Sequence, residues 1–244
     1  MDKAPRTGPN FIDCACVIHD TLYSWEYVEK LQRGLQRNLS VPMRFHVYTE
    51  AERPVPESMI KHALKEWPGV SGPKRSWWYK LQLFNTEEFS GNLLYFDLDT
   101  VITGNIDWIW RLPTDYFWAL KDFQHLYRKN LTKINSSVMW VDNTRWRHLY
   151  NDLDINRLKT VSKHYGDQDY IYENIPQHRI RYLDLHRVNS WRWQAHDGGW
   201  NFASKTSKIP GTGTKIERDV SILVFHGNPK PHEIHDTVVR KFWY

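Results

Sequence analysis

The apolar positions in the first part of the chain switch between the runs of buried strands and the spacing of amphipathic helices. The clearest helix covers 24–39, where Ser24 suits the N-cap and Val28, Leu31 and Leu35 fall on one face. The pattern predicts strands at 11–19, 43–50 and 92–99 and helices at 24–39, 57–66 and 76–85. In the helix at 76–85, Trp77, Leu81 and Phe84 fall on the apolar face. Strands that alternate with helices in this way are typical of a parallel sheet in an α/β fold.

The second part of the chain has a looser pattern with shorter elements. It predicts strands at 116–123, 136–142, 179–185 and 221–226 and helices at 143–153 and 167–175. The segment 194–219 is rich in Gly, Ser, Thr and Lys, so we expect a mobile loop that acts as a lid or a binding loop. No repeat or linker divides the chain, which favours a single domain over residues 1–244 with a flexible start at 1–10.

Aromatic residues are the unusual part of the composition. The 244 residues include 13 Trp, 13 Tyr and 10 Phe, and such a surplus is typical of an apolar pocket or a stacking surface as well as of a core. The formal net charge of +5 fits an anionic ligand, and it fits a mildly basic surface without a partner equally well. Hydrophobic and charged fractions of 41% and 25% are those of an ordinary globular protein.

The sequence also bears on the cellular compartment. No stretch is apolar for long enough to cross a bilayer, and the first residues lack the apolar core of a signal peptide. We therefore expect no membrane span and a cytoplasmic location. The two cysteines, Cys14 and Cys16, lie on one face of the first predicted strand. This spacing favours reduced structural thiols over a metal site built from the two alone.

Two aspartates follow the most apolar strand of the chain, in the segment "NLLYFDLDT" (92–100). Asp97 and Asp99 are two residues apart, so both carboxylates can face one site at the carboxyl end of the strand. Their mutual repulsion would be relieved by a divalent cation, and oxygen ligands of this kind suit Mg²⁺ or Mn²⁺. The simpler alternative is that the two aspartates only cap the following turn.

The same segment also fits the "hhhhDxDxT" pattern of haloacid-dehalogenase-type phosphatases, in which Asp97 would be the nucleophile. Those enzymes usually carry the pattern on the first strand of the domain, and they need a later apolar strand that ends in an acidic pair. Here several predicted elements precede Asp97, and the later acidic segment 166–169 follows a polar stretch. The phosphatase hypothesis is weakened and remains an alternative.

Four further segments resemble motifs of GT-A-fold nucleotide-sugar glycosyltransferases, particularly enzymes similar to glycosyltransferase family eight. They are "WWYKLQLF" (77–84), "INSSVMWVD" (134–142), "GDQDYIYE" (166–173) and "VFHGNPKP" (224–231). Together with the aspartate pair, their order covers residues 11–232. His226 and Lys230 are closer together than is usual in family eight, and Ser137 stands where glycine is commoner. The chain therefore resembles a relative of that family rather than a member.

The resemblance implies a GT-A single domain and a metal-dependent enzyme of the hexosyltransferase type. Its cofactor would be Mn²⁺ or Mg²⁺, bound by Asp97, Asp99 and His226. Its donor would be a nucleotide sugar, most simply a UDP-sugar, whereas the acceptor stays open between a saccharide, a protein and modified DNA. The implied catalytic residues are Gln168, Asp169 and Lys230. The implied donor-binding residues are His19, Asp20, Tyr23, Lys80, Asp97, Asn135, Ser136, Ser137, Gly227 and Lys230.

Several of these residues can also be interpreted from their positions in the sequence, without the resemblance. His226 ends an apolar strand as Asp99 does, so both side chains can reach one edge of the sheet, although a buried core histidine is the simpler alternative. Gly227 permits a close approach of the backbone, and Lys230 brings a positive charge for a diphosphate. Lys80 borders an apolar helix face and either extends to solvent or pairs with Asp97 or a phosphate.

A nucleic-acid-binding module is a third hypothesis. The segments "KRSWWYK" (74–80) and "SWRWQAH" (190–196) place Arg and Lys between Trp residues, as stacking platforms for bases do. Stacking on a donor or a sugar explains the same residues. A basic glycosyltransferase that acts on DNA with hydroxymethylated bases would combine both functions.

Overall fold

The computed structural model of the protein describes residues 10–70, 76–196, 200–201, 206–207 and 213–244. The flexible start predicted at 1–10 lies outside these residues except for residue 10, and so does much of the mobile loop predicted at 194–219. The described parts of that loop include a short antiparallel pair of strands, Trp200–Asn201 and Thr206–Ser207.

Strands and short helices make up the described residues. The strands are β1 (Ile12–Val17), β2 (Met43–Thr49), β3 (Ile60–Ala63), β4 (Asn92–Phe96), β5 (Thr100–Ile102), β6 (Phe117–Lys121), β7 (Ile134–Asp142), β8 (Ile180–Tyr182), β9 (Val188–Ser190), β10 (Trp200–Asn201), β11 (Thr206–Ser207) and β12 (Ile222–Val224). The α-helices are α1 (Trp25–Asn38), α2 (Asp107–Trp110), α3 (His148–Lys163), α4 (Asp167–Asn174) and α5 (Thr237–Phe242). A 3-10 helix spans Ser76–Phe84.

A mostly parallel sheet of seven strands forms the centre of the fold, in the order β3-β2-β1-β4-β7-β6-β8. The pairs of β1 with β2 and β4, of β2 with β3 and of β6 with β8 are parallel, whereas β7 runs antiparallel to β4 and β6. The predicted α/β class with a mostly parallel sheet is therefore confirmed. Because β1 and β4 are parallel neighbours, their carboxyl ends open onto the same edge, where such sheets bind ligands.

The predicted helix at 24–39 corresponds to α1, which covers one face of the sheet. Its periodic positions Val28, Leu31 and Leu35 are buried in one core with strand residues such as Phe45 and Phe96. Ser24 has the extended backbone of an N-cap but makes no side-chain capping hydrogen bond. Burial of each such side chain stabilises the fold by about 1.5–3 kcal/mol, so packing on the sheet rather than capping holds α1 in place.

The other face of the sheet is covered by the 3-10 helix Ser76–Phe84, which the sequence predicted as an ordinary helix with Trp77 on its apolar face. That placement of Trp77 is wrong, because its side chain is 38% exposed whereas all residues from Trp78 to Phe84 are buried. The segment is buried on nearly all sides, including Lys80 and Gln82. A helix that is buried all round has no exposed stripe by which its face can be predicted.

The predicted helix at 57–66 is wrong, since this region contains the edge strand β3, parallel to β2. The imidazole of His62 stacks on Tyr48, with 4.4 Å between ring centroids, and its Nε2 lies 2.8 Å from Nδ1 of His46. These contacts with β2 come from distant parts of the sequence, and they override a local pattern that favoured a helix.

A small second sheet joins the segment that contains Asp97 and Asp99 to the segment that contains Gly227 and Lys230. Its order is β5-β12-β9, with β12 antiparallel to β5 and parallel to β9. The N–H of Phe225 donates to the backbone carbonyl of Asp99 at 3.0 Å. The segment after β12, which contains Gly227 and Lys230, therefore lies beside the aspartates. Among the described residues, no helix has the length and apolarity to cross a membrane.

Candidate functional site

A cavity of about 400 Å³ opens at the carboxyl ends of β1 and β4. We call it the central cavity. Its walls come from the segment after β1, the 3-10 helix, the end of β4 and the segment after β12. Eight of the residues that line it are His19, Tyr23, Trp77, Lys80, Asp97, Asp99, Gly227 and Lys230. The sequence had singled out most of these residues from separate segments, and the fold brings them to one place.

The buried ammonium group of Lys80 is the centre of one half of the site. Its Nζ lies 2.9 Å from Oδ1 of Asp97 and 3.1 Å from Oδ2 of Asp167. It also donates to the hydroxyl of Ser136 at 2.9 Å, and that hydroxyl donates to Asp167 at 2.6 Å. Burial alone would lower the pKa of Lys80, but the charges of Asp167 and Asp97 raise it above its usual range. Lys80 is therefore a permanent cation, and of the two alternatives in the sequence it takes the one that pairs with Asp97.

The pKa values of the two aspartates shift in opposite directions because their neighbours differ. Burial would raise the pKa of Asp97, but Lys80 and a 2.6 Å hydrogen bond from the Tyr95 hydroxyl lower it overall. Asp99 accepts from the Tyr23 hydroxyl at 2.9 Å and from Nζ of Lys230 at 2.5 Å. Burial and the nearby charge of Asp97 still keep the pKa of Asp99 raised. The ionised form of Asp99 is therefore disfavoured here, because Lys230 and Tyr23 do not fully offset burial and the charge of Asp97.

This imbalance decides whether the residues fit a divalent cation. With all three carboxylates ionised, Asp97, Asp99 and Asp167 bring three negative charges against the two positive charges of Lys80 and Lys230. Without a ligand the cluster is net negative and would repel a diphosphate, whereas a divalent cation would make it net positive. The bonded atoms are Oδ1 of Asp97 and Oδ2 of Asp99, so each carboxylate has a second oxygen, and carboxylate oxygens suit Mg²⁺ and Mn²⁺. The two aspartates thus fit such an ion.

His226 does not join the aspartates in the way that the sequence predicted. Its Nε2 lies 2.7 Å from the hydroxyl of Ser190, and its ring stacks on Phe123 and meets the edge of Trp193. Across the parts of the chain that the structure describes, no three His, Cys, Asp or Glu residues are grouped so that they could hold a metal ion. Packing against these aromatic rings orients the imidazole of His226. The apolar strand sequence before His226 did not indicate this orientation.

The acidic residue of "GDQDYIYE" that reaches the site is Asp167, which the sequence analysis did not select. Asp169 instead forms an ion pair with Lys133 at 2.7 Å, and the side chain of Gln168 is half-buried. Asp167 is the first residue of α4, and the buried residues Tyr170 and Ile171 follow it by three and four positions. Positions with this spacing share one helix face. The spacing of Tyr170 and Ile171 from Asp167 could therefore have indicated that Asp167 faces inward.

The remaining predicted donor-binding residues are structural neighbours of the cavity. His19 lines it and stacks on Tyr79, with centroids 3.7 Å apart. The Asp20 backbone has a φ of 64°, and its N–H donates to Glu50. Asn135 accepts from the N–H of Ser137 at 3.0 Å, and the carbonyl of Ser137 accepts from the N–H of Asp97 at 2.8 Å. Asn135 and Ser137 therefore brace the end of β4.

Gly227 is required by space as well as by backbone conformation. Its φ is 72°, and a Cβ at this position would lie 2.8 Å from Nη1 of Arg192. A side chain would push that guanidinium aside. The glycine lets the segment between β12 and Lys230 pass close to the cavity wall, as the sequence suggested.

The stacking platform for bases is not formed by the two Trp-rich segments. Trp78 and Trp191 are buried in the two cores, and Lys80 is buried in the ion-pair cluster. Residues 74–75 lie outside the described part of the chain. Most of the described aromatic residues of these segments are core, whereas the exposed Trp77 borders the central cavity.

Acid should destabilise the protein through His226. Burial and the charges of Arg192 and Lys230 lower its pKa to about 3, against an ordinary value near 6.5. Between these values the unfolded chain binds a proton that the folded chain does not, so the free energy of unfolding falls as the pH is lowered. We expect a loss of up to about 1.4 kcal/mol per pH unit from this residue.

The measurement is urea unfolding of the metal-free protein between pH 7 and 5, the range in which an ordinary histidine of the unfolded chain titrates. The variant His226→Gln should show a flatter dependence than the wild type. Equal slopes for the two proteins would contradict the buried, neutral state of His226.

No protein-family model and no curated protein sequence matches the chain. Solved structures do match. The galactosyltransferase LgtC, in a complex with donor and acceptor sugar analogues, is 13% identical with a TM-score of 0.61, over 90% of this chain and 89% of LgtC. An active-site mutant of LgtC is 12% identical with a TM-score of 0.66, over 95% of this chain and 94% of that one.

A third match is the glycosyltransferase GlyE of Streptococcus pneumoniae TIGR4, which is 14% identical with a TM-score of 0.61. It is matched over 90% of this chain but only 56% of its own length, so the chain spans little more than half of GlyE. At such low identities the matches establish the fold. The protein therefore has the GT-A fold of these glycosyltransferases, as its motifs predicted.

Proposed function

We propose that the protein is a metal-dependent glycosyltransferase that moves a sugar from a nucleotide diphosphate sugar, with a UDP-sugar as the first candidate donor. The observation that carries this proposal is the central cavity, where two aspartates and two lysines meet at the carboxyl ends of β1 and β4. Such an edge is the ligand-binding position of open α/β sheets. The matching glycosyltransferase structures support the same type of reaction.

The proposed cation is Mn²⁺ or Mg²⁺, held by Asp97 and Asp99. His226 stays the proposed third ligand because its imidazole is neutral. To reach the ion, its ring would have to leave the hydrogen bond to Ser190 and the contacts with Phe123 and Trp193. When bound, the ion neutralises the charge that develops on the departing diphosphate. Lys230 is proposed to stabilise the same negative charge on the diphosphate, because its ammonium group already lies beside Asp99.

The other residues of the cavity bind and orient the donor. His19, Asp20 and Tyr23 follow β1 and are proposed to contact the base and ribose. Tyr23 also fixes Asp99 through its hydroxyl. Asn135, Ser136 and Ser137 on β7 are the proposed contacts of the donor sugar, since Ser136 lies within the Lys80 cluster. Lys80 keeps Asp97 ionised and fixed in direction.

The first residues of α4 lie nearest to the reacting sugar in this proposal. Gln168 and Asp169 remain candidates for contacts with the sugar or the acceptor, and Asp167 is added because it touches Ser136 and Lys80. Asp167 is already held by Lys80 and the Ser136 hydroxyl, so we assign it to positioning. Neither the phosphatase nor the nucleic-acid alternative is favoured by a particular contact in the cavity.

A thermal-shift screen of UDP-, GDP- and other nucleotide sugars, with and without Mn²⁺, tests this function. A ligand at a hundred times its Kd stabilises a protein by about 2.7 kcal/mol, which is roughly 5–10 °C for a chain of this size. We expect such a shift with one nucleotide class and only when Mn²⁺ is present. Release of phosphate from a phenyl phosphate with Mg²⁺, without any shift by nucleotide sugars, would instead favour the phosphatase.

A further inference from the structure

A second cavity, of about 510 Å³, lies beside the central cavity. We call it the aromatic groove. It follows the end of α3 and the segment before α4. Its main lining residues are Trp77, Val161, Ser162, Lys163, His164 and Tyr165. No role in the proposed donor site has been given to this groove.

The aromatic groove and the central cavity share a wall. The indole of Trp77 lines both of them. Behind it lies Gly166, where a Cβ would be 3.4 Å from Nε1 of Trp77. Tyr165 lines the groove, and Asp167, two residues later, belongs to the Lys80 cluster. A molecule in the groove is therefore next to the donor site.

The groove exposes two large aromatic side chains. Trp77 is 38% exposed and Tyr165 is 90% exposed. Aromatic residues exposed to this extent beside a cavity are typical of binding surfaces. The C–H faces of a pyranose ring are apolar and pack on aromatic rings, while its hydroxyls need a few polar partners. Ser162 and His164 provide polar atoms of that kind at the same groove.

The charges around the groove distinguish between classes of acceptor. Lys163 lies 3.7 Å from Glu173, and His164 lies 3.5 Å from the same carboxylate. Burial lowers the pKa of His164, so its imidazole is neutral at pH 7. One cation and one carboxylate leave this surface nearly uncharged. A nucleic acid needs a row of uncompensated positive charges along its phosphates, and the described residues that line the groove do not offer one.

We propose that the aromatic groove is the acceptor subsite and that the acceptor is a neutral saccharide, stacked on Trp77 and Tyr165. The proposal rests on the glycosyl transfer proposed above. In that reaction an acceptor hydroxyl oxygen forms a bond to the anomeric carbon of the donor. The bond from that carbon to the diphosphate breaks, its electron pair leaves with the diphosphate, and the hydroxyl proton passes to solvent.

Saturation-transfer NMR without any donor tests the subsite separately from the reaction. One pool of probes contains methyl β-galactoside, methyl β-glucoside, lactose, maltose and cellobiose, and the other contains sialyllactose and a single-stranded oligonucleotide. We expect binding from the neutral pool. Tyr165→Ala should weaken the affinity about tenfold, which is the order of one lost aromatic stack. Tyr165→Phe should keep it, and so should the control Tyr244→Ala, which removes an exposed tyrosine elsewhere.

The outcomes separate this proposal from the proposed function. No binding from the neutral pool, preference for the anionic pool, or unchanged affinity in Tyr165→Ala would each overturn the acceptor subsite, even if nucleotide sugars stabilise the protein. Conversely, neutral saccharides that bind in a Tyr165-dependent manner, together with no response to any nucleotide sugar, would support the groove as a saccharide site and count against glycosyl transfer.

Discussion

Replacement of Asp99 by asparagine is expected to reduce glycosyl transfer by about a thousandfold while the fold is retained. Asparagine has nearly the same shape and can still pair with the Tyr23 hydroxyl. It lacks the negative charge that would hold the cation and that now attracts Lys230. Loss of one preorganised electrostatic contact at a reacting group typically costs two to three orders of magnitude in rate, roughly 10²–10³.

The same substitution should hardly change stability, because the charge of Asp99 is itself costly in the fold. Burial and Asp97 raise the pKa of Asp99, which means that its ionised form is disfavoured there. The control is Asp115→Asn, which removes a carboxylate from an exposed ion pair with Arg145. Initial rates at saturating Mn²⁺ and thermal unfolding are the measurements. An Asp99→Asn enzyme with full activity and the same metal requirement would remove Asp99 from the site.

Much of the fold was predictable because its strongest patterns are local. β1, α1, β2 and β4 have long apolar periods, and each was predicted within a few residues of its observed bounds. β3 was not predicted, because this segment forms a strand only through its pairing with β2 and the contact between His62 and His46. The helix predicted at 143–153 begins later, at His148, and continues to Lys163. The residues before it form turns with backbone hydrogen bonds, and the spacing of apolar residues did not indicate these turns.

The candidate site was predictable at its strand ends and less so at its helix. Asp97 and Asp99 follow an apolar strand, so chain geometry alone places them at the edge of the sheet. Whether Asp167 or Asp169 points inward depends on how α4 packs against β7, which is a tertiary contact. The side chain of His226 is likewise directed by Phe123 and Ser190, which lie far away in the sequence.

The largest loss of stability should come from Lys80→Met. Methionine fills a similar volume but leaves the buried Asp167 and the half-buried Asp97 without their shared cation. Removal of one partner from a buried ion pair typically destabilises a protein by about 3–5 kcal/mol. The control is Lys133→Met, which breaks the exposed pair with Asp169 and should cost no more than about 1 kcal/mol.

Two further measurements identify the uncompensated carboxylates as the cause. In Lys80→Met the folded pKa values of these aspartates rise above their unfolded values, so their cost applies at neutral pH and disappears below about pH 4. The deficit relative to the wild type in urea unfolding should therefore shrink as the pH falls from 7 to 4. The double variant Lys80→Met/Asp167→Asn should recover part of it at pH 7, because only Asp97 stays charged. A deficit that is constant across this pH range, and unchanged in the double variant, would mean that packing of the lysine stem rather than its charge stabilises the site.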